Sequence, residues 1–230
     1  MNYPKEILKN QYVNFFVKRF PFEVFKVIMK PHLENKRYDY IAKEITEVVG
    51  VFNILSQIIK KEKIENATIY ELASGDALFS HFVAFNFKNA NIIAVDLKFP
   101  EELKNGNKSK FFDNLYFIEK DLRELEKIDA DFVIAIHACM QLSEIAIKLA
   151  TKYFIIMPCC IGSENYEKWK KENKLEDRFF DAIENEYYKW VFYLANFAKK
   201  LGFEVNFKKD DNVLSERNFI IFGKRKNQII

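Results

Sequence analysis

The sequence predicts an α/β domain built on a mostly parallel sheet, preceded by a run of helices. Three observations carry this prediction. From about residue 67 onward, short β-rich apolar runs alternate with helical patterns, as strands do when crossover helices bury both faces of a sheet. Before that point apolar residues recur three and four apart and no strand pattern occurs. The last two strands follow one another with no helix between them, which closes the sheet on an antiparallel pair. The chain of 230 residues therefore divides into a helical extension, 1–66, and an α/β domain, 67–230.

The elements follow in order. Residues 5–30 read as helix rich in aromatics, interrupted at Pro21 and closed by Pro31. "ENKRYDYIAKEITEVVGVFNILSQIIKKEKI" continues as one long amphipathic helix or two. "ATIYEL" is the first strand and "ALFSHFVAFNF" the helix after it. "NIIAVDL", "LYFIEKDL", "DFVIAIHAC" and "KYFIIMPCC" are the next four strands, with "LSEIAIKLA" helical between the last two. A charged, aromatic helical region spans residues 163–201, and "FEVNFKK" and "NFIIFGK" are the closing strands. A dinucleotide-binding dehydrogenase would continue with parallel crossovers. This ending is similar instead to the Rossmann-like seven-stranded sheet of class I S-adenosylmethionine (SAM) methyltransferases.

Composition bounds the class without choosing a function. Hydrophobic residues make up 49%, enough for a sizeable core, and most of the 24 phenylalanines sit in periodic positions that imply packing. A net charge of +3 neither announces nor excludes a nucleic-acid partner. No apolar run approaches the roughly 20 residues that a membrane span needs. The opening "MNYPKEILKNQ" lacks a secretory apolar region, so a cytoplasmic location is expected. Three cysteines argue against a disulfide framework.

The loop "ELASGDALFS" after the first strand bears on ligand binding. In open α/β sheets, ligands lie beyond the carboxyl ends of the strands, and the helix that follows offers free N–H groups. Gly75 stands among Ala73, Ser74 and Ala77, and the single methyl of each alanine permits close approach where the backbone does not require positive φ. Glu71 ends the strand, where a carboxylate suits a cation such as the SAM sulfonium or amino group and suits a pyrophosphate badly. Asp96, followed by Leu97, ends the second strand about twenty residues on, the spacing at which a carboxylate accepts ribose hydroxyls. Asp121, followed by Leu122, ends the third, where an adenine amino group would lie. The bland alternative makes Asp96 and Asp121 solvated acids or helix caps. The reading requires the first two acids to face a common cavity.

The fourth and fifth strands end in "IHACM" and "MPCCIG". If they are neighbours, His137, Cys139, Cys159 and Cys160 converge on one sheet edge. The cysteines are then small buried hydrophobes, a thiolate nucleophile, a zinc site with the histidine, or part of a substrate pocket. RNA 5-methylcytosine enzymes place cysteines after these two strands, but their neighbouring motif residues are absent. The spacing matches no established ligand pattern, so no metal ligand is assigned. "HACM" is also not the Asn/Asp-Pro-aromatic segment of enzymes that methylate exocyclic amines.

The ordered set "ELASGDALFS", "VD", "HAC" before "LSEIAIKLA", "PCC" and "SERNFIIFG" resembles a specific methyltransferase-domain family. That family includes the eukaryotic tRNA acceptor-stem 2′-O-methyltransferases and the methyltransferase domain fused to a glutathione-transferase-like module. The likeness covers residues 70–223. Ala73 and Ala77 replace glycines of the family's loop, Asp76 replaces a lysine, Met140 a glycine, and Ser143-Glu144 a Thr-Asp. The resemblance implies a SAM-dependent methyltransferase in which Glu71, Ala73, Ser74, Gly75, Ala77, Asp96, Leu97, Asp121 and Leu122 hold the cofactor. It further implies a methyl-acceptor pocket of His137, Pro158, Cys159 and Asn218, and makes RNA one candidate acceptor. "ENKRYDY" could close over the cofactor, with Lys36 or Arg37 meeting its carboxylate; otherwise both are a solvated helix start. Histidine is the side chain suited to exchanging a proton under ordinary conditions, so His137 could accept the acceptor's proton; otherwise it is a core histidine bonded to backbone. The basic tail "GKRKNQ" and the lysine-rich helices suit phosphates. A small-molecule or protein methyltransferase, or a non-catalytic SAM-fold subunit, remain as alternatives.

Overall fold

The computed structural model describes residues 3–172 and 185–226. The extension begins with a 3-10 turn, Lys5–Ile7, and three short helices: α1 (Gln11–Val17), α2 (Phe22–Ile28) and α3 (Lys30–Glu34). Asn10 caps α1 by accepting from the Tyr12 amide at 2.7 Å, and Pro21 sets the extended residue before α2. Pro31 does not close the helical stretch. It sits in the first turn of α3, where a missing N–H costs nothing. The long helix α4 runs over Tyr38–Glu62. Ile41, Ile45, Val48, Phe52 and Leu55 form its buried stripe, and it ends at Lys63 in the left-handed region, with Lys60 and Lys61 complementing the helix dipole.

The sheet consists of β1 (Thr68–Leu72), β2 (Asn91–Asp96), β3 (Lys104–Asn105), β4 (Lys108–Ser109), β5 (Leu115–Glu119), β6 (Phe132–Ile136), β7 (Tyr153–Met157), β8 (Phe203–Lys209) and β9 (Phe219–Arg225). Its order is β3-β4-β5-β2-β1-β6-β7-β9-β8. The five strands β5, β2, β1, β6 and β7 are parallel, and β9 enters antiparallel between β7 and β8. The sheet thus has nine strands, not seven. The two extra are a two-residue-per-strand hairpin at the edge, turned by Gly106-Asn107 with Gly106 at φ 61°. A two-residue turn led by a positive-φ glycine suits the twist of such a hairpin.

Helices α5 (Leu78–Asn86), α6 (Gln141–Leu149), α7 (Glu164–Glu172) and α8 (Glu186–Lys200) complete the layers. Within the expected helical region the described residues form α7 and α8; residues 173–184, and the tail residues 227–228, lie outside the described part of the chain. Two apolar clusters cover the two sheet faces. One joins α1, α2, α4 and α5 to the sheet; the other joins α6, α7 and α8. Stacking of Phe16 on Phe82 at 4.7 Å ties the extension to α5. Gly50 lets α4 approach the segment before β9, since an added Cβ would stand 3.0 Å from Val213. No described helix is long and apolar enough to cross a membrane.

Candidate functional site

Strand order reverses between β1 and β6, so the carboxyl ends of β2, β1 and β6 frame the switch point where α/β sheets take ligands. Two cavities open there. The larger, about 870 Å³, is lined by Ala73, Asp96, Leu97, Asp121, Leu122, Cys139 and Met140, with Lys120, Arg123, Lys168 and Lys171 among its other walls. The smaller, about 260 Å³, is lined by Glu71, Ser74, Gly75, Asp76 and His137, together with Met29, Tyr40 and Glu44 from the extension. Ala73 belongs to both walls. The first two strand-end acids therefore do not face one common cavity, and the requirement placed on the sequence reading is not met as stated: Asp96 faces the larger and Glu71 the smaller, and the two recesses are joined only by the shared Ala73 wall.

Local chemistry explains the division. Glu71 is buried and accepts from the Ser80 amide at 3.0 Å and from the Ser80 hydroxyl. Helix α5 starts at Ala77 without a side-chain cap of its own, so Glu71 satisfies a first-turn N–H from the neighbouring strand. Burial pushes the Glu71 carboxyl up to about 8, against the bonds from Ser80, so it is mostly protonated at neutral pH. Burial also raises Asp76 and Glu44, the latter helped by Glu47. The smaller cavity is thus lined by three carboxyls that burial pushes upward, a wall that a cation would stabilise.

The loop departs from the sequence expectation in one respect. Ala73 and Ala77 adopt φ 55° and 54°, as Gly75 does at 53°, so two alanines occupy a region that disfavours a Cβ. Asp96 holds the turn together: its carboxylate accepts from the Gly75 amide at 2.7 Å and the Leu97 amide at 2.7 Å. Asp121 caps the 3-10 turn Leu122–Glu124 and pairs with Arg123 through contacts of 2.9, 3.1 and 2.6 Å, which hold its carboxyl below the usual range. Its carboxylate thus already has a cationic partner.

His137 lies at φ 59° just past β6, with Nε2 2.7 Å from Glu47 Oε1. Glu47 projects from α4, is fully buried, and also lies 3.6 Å from Lys43. The close polar neighbour of the His137 ring is thus a carboxylate of the extension and not backbone. Both ring nitrogens are buried, so in this conformation an acceptor's proton does not reach them from the cavity.

The three cysteines do converge. Cys139 Sγ lies 3.2 Å from Cys159 Sγ and 3.0 Å from Cys160 Sγ, and the latter two are 3.5 Å apart. Burial, joined by neighbouring thiols, raises Cys139 and Cys159, which disfavours a resting thiolate nucleophile. Of the remaining expected residues, Ala77 is buried with its carbonyl on His81, and Asn218 is buried with its carbonyl accepting from the Asp210 amide. The two cavity linings include none of Ala77, Asn218, Pro158, Cys159, Lys36 and Arg37. Arg37 instead lies over the Tyr40 ring at 4.5 Å.

Sequence reasoning expected "ENKRYDY" to cover the site, and its Tyr40 does line the smaller cavity, but it missed Met29, His32, Glu44 and Glu47 of the extension. His32 stands 3.8 Å from Asp76 of the loop. The available signal was Glu47, an acid among the apolar positions that α4 buries. Also missed was Glu144, buried in α6, which accepts from Ser163, from Asn165 at 2.6 Å and from Tyr193 at 2.9 Å, and so anchors the start of α7 beside the larger cavity.

No family model matches this sequence, and no curated protein matches it. Solved structures do. Magnesium protoporphyrin IX methyltransferase from Synechocystis with bound SAH is similar at TM-score 0.52 and 13% identity, over 85% of this chain and 95% of that one. Its SAM-bound structure is similar at TM-score 0.52 and 10% identity, over 97% and 99%. The plantazolicin methyltransferase BpumL in complex with SAH gives TM-score 0.49 and 12% identity, over 90% and 100%. Identities this low speak to the fold alone: the chain has the Rossmann-like α/β fold of SAM-dependent methyltransferases.

Proposed function

We propose that the protein is a SAM-dependent methyltransferase. The observation that carries this is the pair of cavities meeting at Ala73 at the switch point of the sheet, one lined by Glu71, Asp76 and Glu44 and the other by Asp96 and Leu97. The donor set fits a cofactor that spans both recesses past Ala73, in place of the one common cavity the sequence reading required. An acid-lined recess suits the amino and sulfonium charges, and Asp96, which accepts two amides, has lone pairs left for ribose hydroxyls. Leu97, Leu122 and Leu142 give the larger cavity apolar walls for a base. SAM supplies an electrophilic methyl group, so the chain's task is alignment of the acceptor with that group, which provides most of the rate. His137, held by Glu47, is the residue we assign to the acceptor side. It would take up a proton only after the cover formed by the extension moves.

For the acceptor we favour RNA. Lys120, Arg123, Lys168 and Lys171 stand in the wall of the larger cavity, where phosphates could meet them, although Glu164 and Glu167 share that wall. Calorimetric titration with SAM tests the first step. Wild-type protein binds it, and Asp96→Asn, which removes one charged acceptor from the turn, weakens binding about tenfold or more. An undetectable heat for the wild type would assign the fold to a non-catalytic role. Methyl transfer from labelled SAM to RNA should fall steeply with salt; transfer insensitive to salt points to a small-molecule or protein acceptor.

A further inference from the structure

We propose that Cys139, Cys159 and Cys160 form a binding site for a thiophilic metal ion at the edge of the larger cavity, with donors separate from the acids assigned to the cofactor and a basis independent of the methyltransferase reading. The sulfurs come from two sheet ends. Cys139 follows β6, and Cys159 and Cys160 follow β7, its parallel neighbour, with Ile136 in register with Met157. All three pairwise Sγ distances fall between 3.0 and 3.5 Å. These are too long for a disulfide bond of about 2.05 Å. They are slightly tighter than the roughly 3.8 Å between ligands of a regular tetrahedral site with metal–sulfur bonds of about 2.3 Å. Each sulfur needs to move outward by only a few tenths of an ångström to take up an ion.

The chemistry of the set selects the ion. Three thiols with no carboxylate among them match a soft or borderline cation such as Zn²⁺ and not Mg²⁺ or Ca²⁺. His137 does not complete the set, because its Nε2 is turned to Glu47. Cys139 and Met140 both border the larger cavity, so an ion held here would lie at its edge with a coordination position not filled by cysteine. Binding breaks three S–H bonds and forms three metal–sulfur bonds. It releases up to three protons and changes no oxidation state.

The test uses the full chain, freshly reduced and stripped with a chelator, titrated with Zn²⁺ against a competing chromophoric chelator and separately with Co²⁺. One ion per chain should bind, with thiolate-to-cobalt charge-transfer absorption, and Zn²⁺ should protect the three cysteines from alkylation. Cys160→Ser, at an exposed position, should weaken binding by more than about 100-fold, beyond what loss of a merely supporting residue gives. Failure to bind Zn²⁺ stoichiometrically overturns the proposal. So does binding without the charge-transfer band, which would put the ion on Glu44, Glu47 and His137, the other set of donors grouped within 4.8 Å among the described residues. Loss of two hydrogens by mass in air, without metal uptake, overturns it in favour of a redox pair. Should Cys160→Ser fail to fold, the cobalt band and the alkylation protection of the wild type decide. SAM titration of the same sample reads the cofactor site separately, so failure of one does not imply failure of the other.

Discussion

Replacing Glu71 by glutamine should make the protein more stable in a way that grows with pH. In the native state the carboxyl is buried and pushed from 4.5 to about 8, with burial the dominant cause and the Ser80 bonds opposing it. Its folded pKa is therefore raised above the unfolded one. The contribution to stability is complete below about pH 4.5 and is lost as pH rises through about 8. Within that window the native state holds a proton that the unfolded chain has released, so stability falls by about 1.4 kcal/mol per pH unit from this group alone. The whole shift corresponds to a loss on the order of 5 kcal/mol. Glutamine keeps an oxygen to accept from the Ser80 amide and hydroxyl, but it has no proton to lose.

The assay is urea unfolding of wild type and Glu71→Gln at several pH values, with the difference taken so that other titrating groups cancel. Between about pH 5.5 and 7.5 the mutant's advantage should widen by roughly 3 kcal/mol. A difference independent of pH would refute the reasoning, because it would mean that Glu71 ionises in the folded protein as it does in the unfolded chain. The same property bears on function. A cation entering the smaller cavity would favour the ionised carboxylate, so cofactor binding near neutrality should release protons.

Two other substitutions or observations test separate parts of the structure. Ala73→Gly should raise stability by about 1 kcal/mol in urea unfolding, because glycine adopts the positive φ of 55° without the alanine penalty. His81 should stay neutral well into acid when followed by histidine proton resonances. It is fully buried against Phe111, Phe112 and Phe117, and burial lowers it to about 4 despite the bond from its Nδ1 to the Ala77 carbonyl at 2.7 Å. Since its folded pKa is depressed, the stability it contributes is present above about pH 6.5 and is lost as pH falls toward 4.

The sheet was legible in the sequence because burial on both faces leaves an unambiguous mark. "IIAV", "FVIAI" and "YFIIM" are continuous apolar runs, and each is a central parallel strand. The β3–β4 hairpin left no such mark. With two residues per strand it has no periodicity to read, and only the Asn105-Gly106-Asn107 turn could have announced it. The convergence of Cys139, Cys159 and Cys160 was also legible, since it needs only that β6 and β7 be neighbours.

The acids were harder to read, because strand-end position does not tell which partner claims a carboxylate. Asp96 kept lone pairs for a ligand after bonding two amides of its own turn. Glu71 was claimed by the uncapped start of α5, and Asp121 by an arginine two residues on. The most consequential contact, His137 with Glu47, joins residues ninety positions apart on elements of different type. What remained visible was its cost. A glutamate within the apolar stripe of α4 must find a cation or a polar partner, or else give up its charge. That requirement, read from one residue, already implies that the extension packs against a polar centre of the sheet and serves as a wall of the site.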